Sequence, residues 1–149
     1  MRTSLINEHA GQRTFVAVLE NGDEVMARLQ AVAEAERLTA AQITAIGAFR
    51  SAELYFFEWG SKEYRSIPVD EQTEVASMVG DIALGPEDKP VLHLHAVLGK
   101  SDGSAVAGHL ARGEVRPTLE VVLTESPAHL RRRKDPESGL PLIDPDAGR

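Results

Sequence analysis

The sequence predicts a single α+β domain, on three observations: a succession of short β-favouring runs, one stretch of helical periodicity, and enough apolar residues for one core. The chain has 149 residues, 42% apolar and 26% charged, which lies in the globular range. Folding a chain of this length buries roughly 70% of its unfolded surface. No window approaches the ~20 apolar residues of a membrane helix, and residues 1–11 carry no signal-peptide-like apolar stretch. A cytoplasmic protein without membrane contact is expected.

Residues 14–20 (TFVAVLE) are β-rich and stop at Asn21-Gly22, a strong turn signal. From Asp23 the period changes. Val25, Leu29, Val32 and Ala33 share one face at helical spacing, with Glu34, Glu36 and Arg37 outside, so a helix is predicted over 23–38. Residues 43–49 (ITAIGAF) are short, apolar and contain Gly47, as a buried strand would. Residues 54–59 and 63–69 flank Gly60-Ser61-Lys62 and read as a hairpin with Tyr55, Phe57 and Trp59 along one face. Such an aromatic row first suggests core packing or a subunit interface. Further strands are predicted over 73–84, 91–98, 105–110 and 118–124. Residues 1–12 read as an N-terminal extension, 13–126 as the domain, and 127–149 as a tail. Pro127, Pro136, Pro141 and Pro145 break regular structure in that tail, while Leu140, Leu142 and Ile143 make it apolar enough to dock on the domain or on a neighbouring subunit.

The absence of cysteine removes disulfides, thiolate metal sites and cysteine nucleophiles together. A net charge of −7 opposes binding to phosphate backbones unless basic residues gather on one face. The one basic run, residues 131–134, lies beside Asp135 and Glu137 and reads as a solvated or partner-contacting segment.

The concentrated chemistry lies in three of the five histidines. Strand alternation puts Leu92, Leu94, Ala96 and Leu98 on a core face and leaves His93 and His95 together on the other. Two residues span about 6.6 Å along a strand, a separation from which two imidazoles can converge on one ion at ~2.0–2.1 Å each. If the following loop is centred on Asp102, paired residue numbers sum to 204 and His95 faces His109. A loop one residue longer or shorter would turn His109 inward. One histidine on a strand is more often a hydrogen-bonded structural residue than a ligand, and His9 and His129 are read that way. Three on one hairpin face favour a divalent metal, zinc by default, with a coordination position left open.

The motifs ITAIGAFRSAELYFF, EVASMVGDIAL, HLHAVLGKSDGSAVAGHL and TLEVVL, in that order along residues 13–142, resemble those of the PPC (plant and prokaryote conserved) domain, also known as DUF296. The resemblance implies a mainly antiparallel sheet with one principal helix, assembled as a homotrimer. It also implies metal binding at His93, His95 and His109, as in bacterial members. Two acids that align with the family's pattern, Glu74 and Glu120, become candidates for supporting the metal or moving a proton beside it. Arg50 becomes a candidate for holding an anionic ligand. The family's DNA-binding label belongs with relatives that carry an AT-hook, and this chain has no Arg-Gly-Arg-Pro core.

The leading expectation is therefore a trimeric metal-binding domain that senses a small-molecule ligand or performs metal-assisted chemistry. The alternatives are a DNA-associated regulator, a cupin-like metal barrel, and a structural trimer without metal. Cupins place a glutamate soon after the His-x-His pair, where this chain has Gly99 and Lys100.

Overall fold

Two long strands organise the molecule, whose computed structural model describes residues 1–147. Along the chain the elements are β1 (Arg2–His9), β2 (Gln12–Glu20), α1 (Val25–Ala35), β3 (Ala40–Glu58), β4 (Glu63–Val69), β5 (Thr73–Leu84), β6 (Pro90–Gly99), β7 (Ala105–Glu125), β8 (Arg131–Lys134) and β9 (Pro141–Asp144). The first half of β3 pairs with β5 on one edge and with the end of β7 on the other. Its second half pairs with β4 and with the middle of β7. Because β6 bridges β5 to the start of β7, the pairings β3–β5–β6–β7 close a ring. All pairs in this ring are antiparallel, as expected.

The interior is filled by the alternate residues of each strand. On β6, Leu92, Leu94, Ala96 and Leu98 are buried, the leucines at 8%, 0% and 0% exposure. They meet Met78 and Ile82 of β5, Phe49 and Leu54 of β3, and Leu110, Leu119 and Val121 of β7 in one cluster. Helix α1 caps this core with Val25, Leu29, Val32 and Ala33, the four positions its periodicity singled out. Each fully buried leucine or phenylalanine contributes on the order of 1.5–3 kcal/mol. The helix is shorter than residues 23–38. Glu24 is its N-cap, its carboxylate accepting from the backbone N–H groups of Met26 (3.2 Å) and Ala27 (2.7 Å). Asp23 instead lies before the helix, where it pairs with Arg28 of α1 and with the amino terminus.

Three expectations change. Residues 43–49 and 54–58 belong to one 19-residue strand, which stops one residue short of the expected 59, and 105–110 and 118–124 to one 21-residue strand. The intervening Pro117 does not break β7, because it lies where the register with β3 jumps from Leu119 to Val115 and no β3 residue faces it. Residues 2–9, read as an extension, form β1 against β2. All eight are exposed, so this edge strand has no apolar alternation to betray it. The tail is regular after all. Residues 131–134 and 141–144 form a hairpin, with Pro136 in its loop, Pro141 at the first position of β9 and Pro145 just past the end. Each proline sits where a missing N–H costs no ladder bond.

The expected aromatic row is partly covered within the chain. Tyr55 and Phe57 pack against Tyr64 of β4 with ring centroids 5.7 and 5.3 Å apart, while Trp59 lies past the end of β3 at 57% exposure. No helix among the described residues is long and apolar enough to cross a membrane.

Candidate metal centre

His93 and His95 project from β6 on the face opposite the leucine row, and β7 brings His109 directly across from His95. The five residues 100–104 between the paired Gly99 and Ala105 form the odd-numbered loop that this arrangement requires. That loop is held by Gly103, at φ 83°, by backbone bonds between Lys100 and both Ser104 and Gly103, and by the Asp102 carboxylate, which accepts from the Ser104 N–H (2.8 Å) and hydroxyl (2.6 Å). Nε2 of His93 and Nε2 of His95 are 3.2 Å apart. The three ring centroids are separated by 5.1, 5.1 and 5.5 Å, and one nitrogen from each ring lies within 4.8 Å of the others.

The surroundings of the cluster come from four other elements. Tyr55 of β3 faces His109 across the ladder, its ring parallel to the imidazole within 7° at 6.5 Å, and Tyr64 of β4 lies 5.4 Å from the same ring. Asp81 of β5 is directly opposite His93, its Oδ2 4.0 Å from Nδ1, the nitrogen turned away from His95. Arg132 of β8, buried to 6% exposure, pairs with the other oxygen of Asp81 and donates to the Pro141 carbonyl (3.1 Å).

These neighbours set the protonation of the rings. Burial, then the adjacent His93, His95 and Arg132, push His109 down to about 4. His93 is lowered for the same leading reason, burial, followed by Arg132 and His95, with Asp81 opposing. Both rings are neutral near pH 7, the form that ligates metals. Nδ1 of His109 is buried with no hydrogen-bond partner, a condition that ordinarily costs about 1–3 kcal/mol.

Residues 6–127 match the family model of the plants and prokaryotes conserved (PCC) domain. The chain belongs to this family. Its fold is shared by several solved structures. A protein from Archaeoglobus fulgidus described as metal-containing is 32% identical, with a TM-score of 0.81 over 88% of this chain and 92% of that one. A plant- and prokaryote-conserved protein from Pyrococcus horikoshii is 28% identical, with a TM-score of 0.81 over 96% and 94%. A protein from Bacteroides thetaiotaomicron proposed to bind DNA is 28% identical, with a TM-score of 0.84 over 95% and 96%. No curated protein matches the sequence.

Within this PCC domain the remaining candidate residues lie elsewhere. Glu74 pairs across the ladder with Gly99, four residues beyond His95, which is about 13 Å along the strand. Glu120 faces Ile46 and Val18 and borders, with Glu74 and Gly47, a separate cleft of about 400 Å³. Arg50 is exposed and forms an ion pair with Glu114 at 2.9 Å. His129 bonds to the Thr39 hydroxyl at 2.7 Å, and His9 is an exposed residue of β1.

Asp81, Arg132, Tyr55 and Tyr64 are the neighbours that sequence reading did not connect to the histidines. For Asp81 a signal existed. The β5–β6 hairpin is centred on Glu87, so partner numbers sum to 174 and Asp81 falls opposite His93. Arg132 left no such trace, since β8 joins β5 through a single parallel pair, Leu84 with Arg131.

The donor set fits a metal. Two Nε2 atoms at 3.2 Å match the ~3.3 Å edge of a tetrahedron with ~2.0–2.1 Å bonds to nitrogen. Three imidazoles with no fourth protein ligand in the group among the described residues correspond to the three-ligand sites that keep one position open.

Proposed function

We propose that this PCC domain is a homotrimeric cytoplasmic protein that holds one divalent metal, zinc, per chain on His93, His95 and His109, and presents its open position to a small molecule. The observation that carries the reading is the convergence of three imidazoles from two paired strands, with one nitrogen of each within 4.8 Å of the others. When bound, zinc supplies Lewis acidity and brings a coordinated water toward a pKa of about 7, which suits either ligand sensing or metal-assisted chemistry. The description of the similar Archaeoglobus protein as metal-containing supports the metal. Trimer formation is supported by an apolar stripe on the outer sheet face, Ile46, Val79, Val97 and Val122, exposed at 61%, 48%, 39% and 40%.

The test is metal content by native mass spectrometry after zinc loading, on protein without a histidine tag. His93→Ala, His95→Ala and His109→Ala are expected to lose the ion, while His9→Ala and His129→Ala keep it. Equal occupancy in all five, or none in the parent, defeats the reading and leaves a structural trimer without metal.

A second reading, a DNA-associated regulator, draws on the similar Bacteroides and Ralstonia proteins, both proposed to bind DNA. The charge of −7 per chain opposes it. Submicromolar, salt-sensitive affinity for arbitrary duplex DNA at ~150 mM salt would establish it over the charge argument.

A further inference from the structure

Between the histidines and the β8–β9 hairpin lies a pocket of about 290 Å³, near the lower end of the usual range for small-molecule sites. His93 and His109 form one side of it. Tyr64, Leu140 and Leu142 form apolar walls, and Arg132 is the one cationic side chain in its lining. A buried guanidinium is costly to maintain unless its charge and its donors are met. Asp81 and the Pro141 carbonyl each engage one terminal nitrogen of Arg132, yet its Nε is buried with no partner. A fixed cation with an unspent donor therefore borders the metal ligands inside an otherwise apolar pocket.

We propose that this pocket binds a small organic monocarboxylate, its anionic end received between Arg132 and the open metal position and its apolar part against Tyr64, Leu140 and Leu142. The assignment rests on the metal reading above. A guanidinium is a planar fork that suits carboxylates, and the group Arg132 already holds within the chain is the carboxylate of Asp81. A phosphate dianion fits poorly, because a single guanidinium and hydrocarbon walls leave most of its oxygens without donors. A neutral carbonyl can accept from the Arg132 donor, but it forms a weaker bond than a carboxylate does and brings no negative charge toward the guanidinium.

The probe is 4-methylpentanoate, titrated calorimetrically into zinc-loaded protein, with 4-methylpentanamide and inorganic phosphate as comparators. Saturable binding of the acid at least tenfold tighter than either comparator is expected. Leu142 is 45% exposed, so Leu142→Glu tests the pocket without disturbing the core. It is expected to weaken the acid at least tenfold through like-charge repulsion, with Leu142→Gln within threefold of the parent and zinc content unchanged in both. The double variant Asp81→Asn/Arg132→Gln, which removes the pair together, is expected to lose the preference for acid over amide. If zinc is retained and the acid binds no tighter than the amide, or Leu142→Glu binds it as the parent does, the ligand assignment fails and the metal reading stands. If the protein takes up no zinc, the metal reading fails. The same titration on metal-free protein then decides: acid binding that Leu142→Glu weakens supports the carboxylate pocket, and its absence overturns it.

Discussion

His95 and His109 face each other across the β6–β7 ladder because five residues, an odd number, separate Gly99 from Ala105. The metal cluster therefore depends on the length of a surface loop that touches none of its ligands. Inserting one glycine after Asp102 makes the loop even, so the ladder must bulge or slip and His109 leaves the face of His95. Zinc affinity is expected to fall at least tenfold, measured by competition with a chelating dye. Inserting two residues restores the parity and is expected to recover most of that loss. Equal affinity in all three proteins would show that the register is not what assembles the site.

Gly80 makes room for His93. A Cβ at position 80 would lie 1.9 Å from the His93 carbonyl oxygen and 2.8 Å from a Leu94 methyl. Backbone atoms cannot yield as a side-chain tip does, so Gly80→Ala pushes β5 and β6 apart beside the first ligand. Overpacking of this kind costs on the order of 1–3 kcal/mol. The urea midpoint of the metal-free protein is expected to fall accordingly, and zinc retention to fall more than in Leu142→Gln. Parent-like values for both properties would refute this.

Stability of the metal-free protein is expected to decline on acidification from about 6.5 toward 4. His109 titrates at about 4 when folded and near 6.5 when unfolded, so between those values the unfolded chain binds the additional proton. Stability then rises with pH across the window and is lost as pH falls. His93, lowered in the same direction, adds to the effect. Both rings are partly solvated, so the combined change is on the order of 1–2 kcal/mol. Urea unfolding at pH 7.5 and 5.0 measures it, and His109→Gln is expected to flatten the dependence. A parent protein more stable at pH 5.0 would reverse the assigned sign.

The apolar stripe is expected to be the subunit contact. Ile46 and Val122 lie on β3 and β7 on the outer face, and burying such residues contributes roughly 1.5–3 kcal/mol each. Ile46→Lys/Val122→Lys is expected to convert a trimer to monomers in light scattering at micromolar concentration, with zinc still bound to each chain. A monomeric parent would remove the trimer from the proposal.

The local features of the fold were legible because they follow from short-range periodicity. Leu92, Leu94, Ala96 and Leu98 alternate with two histidines, and alternation alone separates the faces of β6. Val25, Leu29, Val32 and Ala33 recur at helical spacing and mark the buried side of α1. The hairpin arithmetic that paired His95 with His109 needed only a loop centre. By contrast, β1 carries no alternation, and β8 and β9 are built around prolines that discourage regular structure until their positions in the hairpin are known.

What the amino-acid order determined by itself was therefore the α+β class, the core stripe of each main element and the three histidines on one face of a hairpin. Those properties depend on neighbours a few residues apart. Tertiary structure decided that β3 and β7 run unbroken through the molecule, that Asp81 backs His93, and that Glu74 and Glu120 share a cleft away from the cluster. It also carried Arg132 from a basic run in the tail to a buried place beside the histidines. Such contacts join residues 51 positions apart, as Asp81 and Arg132 are, and they form only when closure of the strand ring brings distant segments of the chain together.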